Sequence, residues 1–215
     1  MKLFQNLLRK VTRLSKRVTE HSKKNYIMDY IESQWKVLCN EYNIDMVACP
    51  LIFSDSEHIL HDVNKLRIAK GLNTRESFGY DTFFTTMHVC MNVNNIAHNE
   101  LVGVVCNMTN IMSKFTYDNT YERINQKLPL IKTLIRHEIG HVIVESAEYE
   151  GYPMDQVYWR IQFIMGQEQL VLGDIQNKTD NYSFAHRYFQ LYREAKANEA
   201  VGISLDEICN VYARL

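Results

Sequence analysis

His137, Glu138 and His141, in the run "IRHEIGHVIVE" (135–145), are the residues whose types and spacing point most directly to chemistry. On a helix, residues four apart stack at about 5–6 Å between Cβ atoms, so both imidazoles can reach one ion at about 2.0–2.1 Å. Glu138 follows about 100° around the helix, at the edge of the same cleft. A zinc ion so held lowers the pKa of its water to about 7, and a neighbouring carboxylate can accept the proton as that water attacks a polarised carbonyl. With 8 histidines in 215 residues, chance supplies this pattern only about 0.02 times, so composition is a poor account of it. The competing reading is a pair of hydrogen-bonded core histidines, because the flanking Leu130, Ile131, Leu134, Ile135, Ile139, Val142 and Ile143 make the helix a buried one.

A catalytic zinc ion takes three protein ligands and leaves one position open. Glu145 stands one turn beyond His141, too far along a straight helix to join the pair around one ion. The downstream candidates are Glu168, Asp174, Asp180, His186 and Glu194. The five cysteines (Cys39, Cys49, Cys90, Cys106 and Cys209) are odd in number and lack CxxC spacing, which suits packed, reduced thiols and leaves metal binding to histidine and carboxylate. His58 and His61 have i,i+3 spacing but no companion, and read as surface residues.

These groups must be positioned by helices and a small sheet. Pro129 suits the first turn of the helix carrying His137, and Gly151 its end. In "TTMHVCMNVNN" (85–95), Met87, Val89, Met91 and Val93 alternate with His88, Cys90, Asn92 and Asn94, the mark of a half-buried strand. A turn at 97–100 and a second strand at 101–108 complete an antiparallel hairpin. "IDMVACPLIFS" (44–54) is strand-like, with Pro50 making its second half an edge or irregular segment. Residues 58–71 read ambiguously, 72–81 and 109–128 as loops, and further helices are expected near 154–172, 183–200 and 204–213. Tyr26, Tyr30, Ile31, Trp35, Leu38 and Tyr42 form a helical stripe.

At 215 residues and 46% hydrophobic content the chain can bury a substantial core, and no apolar run is long enough to span a bilayer or form a secretory signal. The expected location is the cytoplasm. Residues 1–24 carry eight lysines and arginines against one glutamate, a net +7 beside −8 for the remainder. There Phe4, Leu7, Leu8, Val11, Leu14 and Val18 recur at three- and four-residue steps, giving a basic amphipathic helix. It either packs on its own domain with a solvated face or meets an anionic lipid, nucleic acid or partner groove. The stripe that follows belongs to a second helix or a continuation of the first, to about 42. The organisation expected is 1–24 as this helix and 25–215 as one domain.

"HEIGH" followed by "YREAKANEAVG" (192–202) resembles the zincin metallopeptidases of the glutamate-ligand class, especially the minimal intracellular group of phage-immunity peptidases and radiation-response regulators. The resemblance covers about 84–202. It implies an α+β, zincin-like fold with a small, mainly antiparallel sheet, an active-site helix and helical N- and C-terminal parts. It implies Zn2+ on His137, His141 and Glu194, with Glu138 as general base, and Asn198, in an E-x-x-A-N pattern, bonded to a ligand histidine. The implied function is zinc-dependent hydrolysis of peptide bonds in a protein or peptide lying along the hairpin edge. The sequence departs from its smaller relatives in the 53-residue step from His141 to Glu194, has Glu145 where other classes carry a third histidine, and shows no helix-turn-helix. A donor to the developing oxyanion is expected from His186, Tyr188 or Tyr192. The alternative function is a catalytically idle zincin-fold interaction protein that binds a partner or an anionic surface through its basic N-terminal helix.

Overall fold

The computed structural model describes residues 2–76, 82–115, 120–175 and 181–215, with side chains described from residue 19 onward except at 171–181. Eight helices and three strands are formed among the described residues, an α+β arrangement in the order α1 (Lys2–Glu41), β1 (Leu51–Ser54), α2 (Ile59–Ala69), β2 (Phe84–Val93), β3 (Ile96–Asn107), α3 (Met108–Phe115), α4 (Tyr121–Glu145), α5 (Met154–Ile175), α6 (Asn181–Tyr188), α7 (Tyr192–Ala200) and α8 (Leu205–Arg214).

The sheet has the order β1-β3-β2, with β1 parallel and β2 antiparallel to β3, so it is mixed, and the antiparallel pair is the longer of the two. The hairpin turn is Asn94–Asn95, not 97–100. Both asparagines have positive φ, 53° and 65°, the left-handed pair that a two-residue turn requires and that asparagine tolerates. Residues 97–100 therefore lie inside β3. Pro50 directly precedes edge strand β1, where its carbonyl accepts from Val104 N at 2.9 Å. The approach depends on Gly103, at φ 148°, because a Cβ there would stand 2.7 Å from the Pro50 oxygen.

α1 is continuous, and the boundary drawn at residue 24 falls inside it. Ile27, Ile31, Trp35 and Leu38 are buried at helical spacing, whereas Tyr26 is exposed and bonds Asn125. The side chains that make the first half amphipathic in sequence, up to Val18, lie outside those described. Residues 59–69 resolve to a helix that covers β3 with Ile59 and Val63, packed with Met87, Val102 and Val105. The expected loop 72–81 is described only to residue 76, and 109–128 contains α3 and the start of α4, with 116–119 outside the described residues.

α4 begins eight residues before Pro129, capped by the Thr120 hydroxyl, which accepts from Arg123 N. Pro129 thus lies within the helix rather than in its first turn, and forgoes one backbone bond. Ile124, Leu128, Ile131, Leu134, Ile135 and Ile139 bury α4 against α1, α3, β3 and α8 in the main core. The helix stops at Glu145 and a turn follows to Gly151, so the helix ends six residues earlier than that glycine suggests. No helix among the described residues is long and apolar enough to cross a membrane. All five cysteines are free thiols, and all but Cys90 are buried.

Candidate metal centre

The site forms where α4 meets α7. A Cβ on Gly140 would stand 2.0 Å from the Ala197 carbonyl oxygen and 2.6 Å from its carbon, so only a glycine at 140 lets the two helices approach this closely. That approach sets Glu194 and Asn198 of α7 opposite His137 and His141 of α4. Arg136 ties down the far end of α7, donating to the carbonyls of Val201 and Gly202 at 2.7–3.0 Å. A cation there also offsets the negative end of the helix dipole.

Three atoms converge. His137 Nε2 stands 3.0 Å and His141 Nε2 3.3 Å from Glu194 Oε2, and the two nitrogens are 3.2 Å apart. His141 Nδ1 donates to Glu145 Oε1 at 2.9 Å and His137 Nδ1 to Asn198 Oδ1 at 2.8 Å. In the neutral rings this fixes the protons on Nδ1 and turns both Nε2 lone pairs inward, onto each other and onto a carboxylate oxygen. Three such donors repel one another, and a cation between them removes the repulsion. Ligands at about 2.0–2.1 Å in a tetrahedron stand roughly 3.3–3.4 Å apart, so the observed triangle is close to that of an occupied site. His137, His141 and Glu194, all buried, can hold a metal ion.

Six of the eight buried polar or charged residues among those described belong to this centre: His137, Glu138, His141, Glu145, Glu194 and Asn198. Burying the five ionisable groups among them is costly unless they are paired, and their protonation reflects the pairing. Burial alone raises the Glu194 carboxyl, but His141 and His137 overcome it and hold the group well below the usual carboxylate range. Burial opposes ionisation of Glu145 too, yet bonds to His141 and His88 bring it down to about 2. Burial lowers the His141 imidazole, and Glu194 and Glu145 together more than reverse this, leaving its pKa well above the ordinary value.

Glu145, set aside as a ligand from its spacing, therefore serves from outside the ligand triangle. One oxygen takes the His141 proton and the other is bonded to His88 Nδ1 on β2. Glu138 is held differently. Its Oε2 accepts from both the backbone N and the hydroxyl of Thr86, each at 2.8 Å, which pins the helix to the outer edge of β2.

A cleft of about 250 Å³ opens over these groups, walled on one side by Thr82–His88 and on the other by α4, with Tyr188, Arg193, Glu194 and Tyr212 across it. Of the three expected oxyanion donors, Tyr188 alone lines the cleft. Its hydroxyl donates to Glu194 Oε1 at 3.0 Å, and burial followed by the Glu194 charge pushes its pKa well above 10, so it stays a donor. His186 and Tyr192 lie elsewhere. His186 stacks on Tyr182 on the outer side of α6, because α6 turns Ala185 and Tyr188 inward. Tyr192 is 39% exposed at the start of α7 and accepts a bond from Arg160. Glu168 is not a ligand, since both its oxygens are bonded by Arg193 at 2.7–2.8 Å. Asp180 and the Asp174 side chain lie outside the described residues. His58 and His61 are more than 60% exposed beside Glu57 and Asp62.

Behind the His137–His141–Glu194 triangle, Phe189 meets His137 edge to face with ring centres 5.2 Å apart and also contacts Tyr188 and Tyr212, an aromatic wall that fixes the His137 ring. Sequence reasoning missed Gly140, Thr86, His88 and Phe189. Gly140 alone carried a signal, as a glycine in the middle of a strongly apolar helix, where it costs about 1 kcal/mol relative to alanine. No family model matches the chain, and no curated protein or solved structure matches it either.

Proposed function

We propose that this protein is a zinc-dependent metallopeptidase with a zincin-like active site. The observation that carries the reading is the inward triangle of His137 Nε2, His141 Nε2 and Glu194 Oε2 beside Glu138 on the cleft wall. Zinc suits two imidazoles and one carboxylate and, when bound, supplies a Lewis acid that activates water and polarises a carbonyl. Glu138 acts as general base. Thr86 occupies one carboxylate oxygen through two hydrogen bonds, which orients the other toward the cleft to take a proton from water and pass it to the leaving amine. Tyr188 positions Glu194, and Asn198 and Glu145 hold the two imidazoles with their Nε2 atoms inward. An extended peptide is the substrate class, aligned along the outer edge of β2. The free thiols accord with a reducing, cytoplasmic setting.

Elemental analysis of purified protein together with mass spectrometry of an incubated peptide library tests this reading. One zinc per chain and defined cleavages are expected, and Glu138→Gln keeps the zinc while slowing cleavage by about 10²–10⁴-fold. If that variant cleaves as fast as the parent, Glu138 is not the base.

A further inference from the structure

α5 turns a narrow side to the fold. Val157 and Ile164 are buried and Ile161 and Glu168 half-buried, whereas Tyr158, Trp159, Phe163, Met165 and Leu170 are exposed, Trp159 and Leu170 each at 74%. Trp159, Phe163 and Leu170, on the side of α5 opposite Val157 and Ile164, present roughly 450–500 Å² to solvent, while Tyr158 and Met165 lie about 110–130° round the helix from that stripe. That area is in the range of the largest apolar patch on a monomer, which is often functional, and is more than half of the ~800 Å² per partner of a stable interface.

Charge narrows the choice of occupant. Arg160 is the only basic residue of α5, and its guanidinium is engaged by the Tyr192 hydroxyl at 3.0 Å and by Glu148. Glu168 is occupied by Arg193. Such a face offers nothing to an anionic lipid or a nucleic acid.

The spacing selects the occupant. Trp159, Phe163, Gly166 and Leu170 follow one another at steps of four, three and four, one stripe along the helix. If a second α5 is laid antiparallel across it, with the two-fold axis between residues 164 and 165, Phe163 meets Gly166 and Trp159 meets Leu170. The match is large against small. A Cβ on Gly166 meets nothing within 4 Å, so the space above it is open to a phenyl ring. Leu170 rims a groove of about 550 Å³ whose apolar wall is Leu191, Tyr192 and Ala195 and whose charged edge, Lys196 and Glu199, is paired within itself, which offers the indole a seat.

We propose that α5 is a dimerisation helix, through which two copies of this chain pair antiparallel about a two-fold axis, Phe163 of each over Gly166 of the other. The interface is isologous, so the stripe needs no other partner. Sedimentation velocity of the full chain across about 1–100 µM tests this, and the parent is expected to sediment as a concentration-dependent dimer. Trp159→Glu and Gly166→Glu are each expected to raise the dissociation constant by about 30-fold or more. Gly166→Glu points into open space in the single chain, so its circular dichroism should remain that of the folded protein. A parent that stays monomeric throughout the range overturns the proposal, as does a dimer that survives both substitutions. Flotation of a monomeric parent with phosphatidylcholine vesicles would overturn it too, giving the face to lipid.

Discussion

His141 and Glu145 stand one turn apart on α4, and the Glu145 carboxylate accepts the His141 Nδ1 proton at 2.9 Å while its other oxygen is bonded to His88 on β2. One acidic side chain thereby orients an imidazole and ties the helix to the sheet. Because Glu145 has no place in the ligand triangle, Glu145→Ala should loosen the metal without opening a coordination position. The expected loss is about 10–100-fold in zinc affinity, with Asn198→Ala comparable through His137. Glu194→Ala removes a proposed ligand and should fall well below both. Competition titrations against a chromophoric chelator rank the three variants, and an unaltered affinity in Glu145→Ala would remove its orienting role.

The pairing also sets a pH dependence that metal reverses. In the metal-free protein Glu145 is depressed from 4.5 to about 2, so its contribution is present above 4.5 and fades as the pH falls toward 2. His141 is raised above 6.5, so its contribution is present below 6.5 and is lost as the pH rises through the folded value. The chelated protein should therefore be most stable between about 4.5 and 6.5 and lose Tm above that window. With zinc the slope on the alkaline side changes sign, because the metal takes the place of the His141 proton and binds more tightly as protons become scarce. Thermal melts from pH 4 to 9, with chelator or with zinc, measure the two curves, and parallel curves would contradict the assignment.

What the sequence made legible was local. The i,i+4 histidines, the buried stripe at Ile31, Trp35 and Leu38, and the β2–β3 hairpin follow from periodicities in one segment. Glu194 and Asn198 were reached through resemblance, since nothing in their spacing reveals that α7 lies on α4. The sheet's mixed character was hidden because β1 pairs in parallel with a strand about fifty residues away, a contact without a local signature. The turn was misplaced for a different reason. "AHNE" looks as polar as a turn, but the backbone needs two left-handed residues, and Asn94–Asn95 supply them. His186 and Tyr188 are both close to Glu194 in sequence, and a two-residue offset on a short helix decides which of them faces the cleft.

Gly140 is expected to be as sensitive as a ligand. Gly140→Ala drives a methyl group to 2.0 Å from the Ala197 carbonyl oxygen, and since that neighbour is backbone, α7 has to move away. Overpacking of this kind costs about 1–3 kcal/mol, occasionally more, despite alanine's better helix propensity. Displacing α7 separates Glu194 from the histidines, so the variant should lose zinc by more than about 100-fold, beyond what loss of an outer partner causes. Chemical denaturation and zinc titration of the same preparation check both, and a variant that binds zinc like the parent would show that the interhelical contact does not govern the site.

Tyr188 and His186 separate a role at the centre from mere proximity in sequence. Tyr188→Phe removes one donor to a buried carboxylate, a bond to a charged group worth about 1.5–3 kcal/mol. Glu194 Oε1 then loses its Tyr188 bond while Oε2 still faces the imidazoles. The expected result is zinc affinity reduced by about tenfold or more, with slower hydrolysis at saturating zinc if the hydroxyl also donates to the reacting carbonyl. His186→Ala, on the outer side of α6 against Tyr182, should leave zinc affinity and turnover where they were, as should Tyr192→Phe at the exposed start of α7. Zinc affinity and turnover, measured separately for all three variants, distinguish positioning from catalysis. A fall in either quantity for His186→Ala, with Tyr188→Phe unchanged, would move the donor from the inner to the outer side of α6 and require a different cleft.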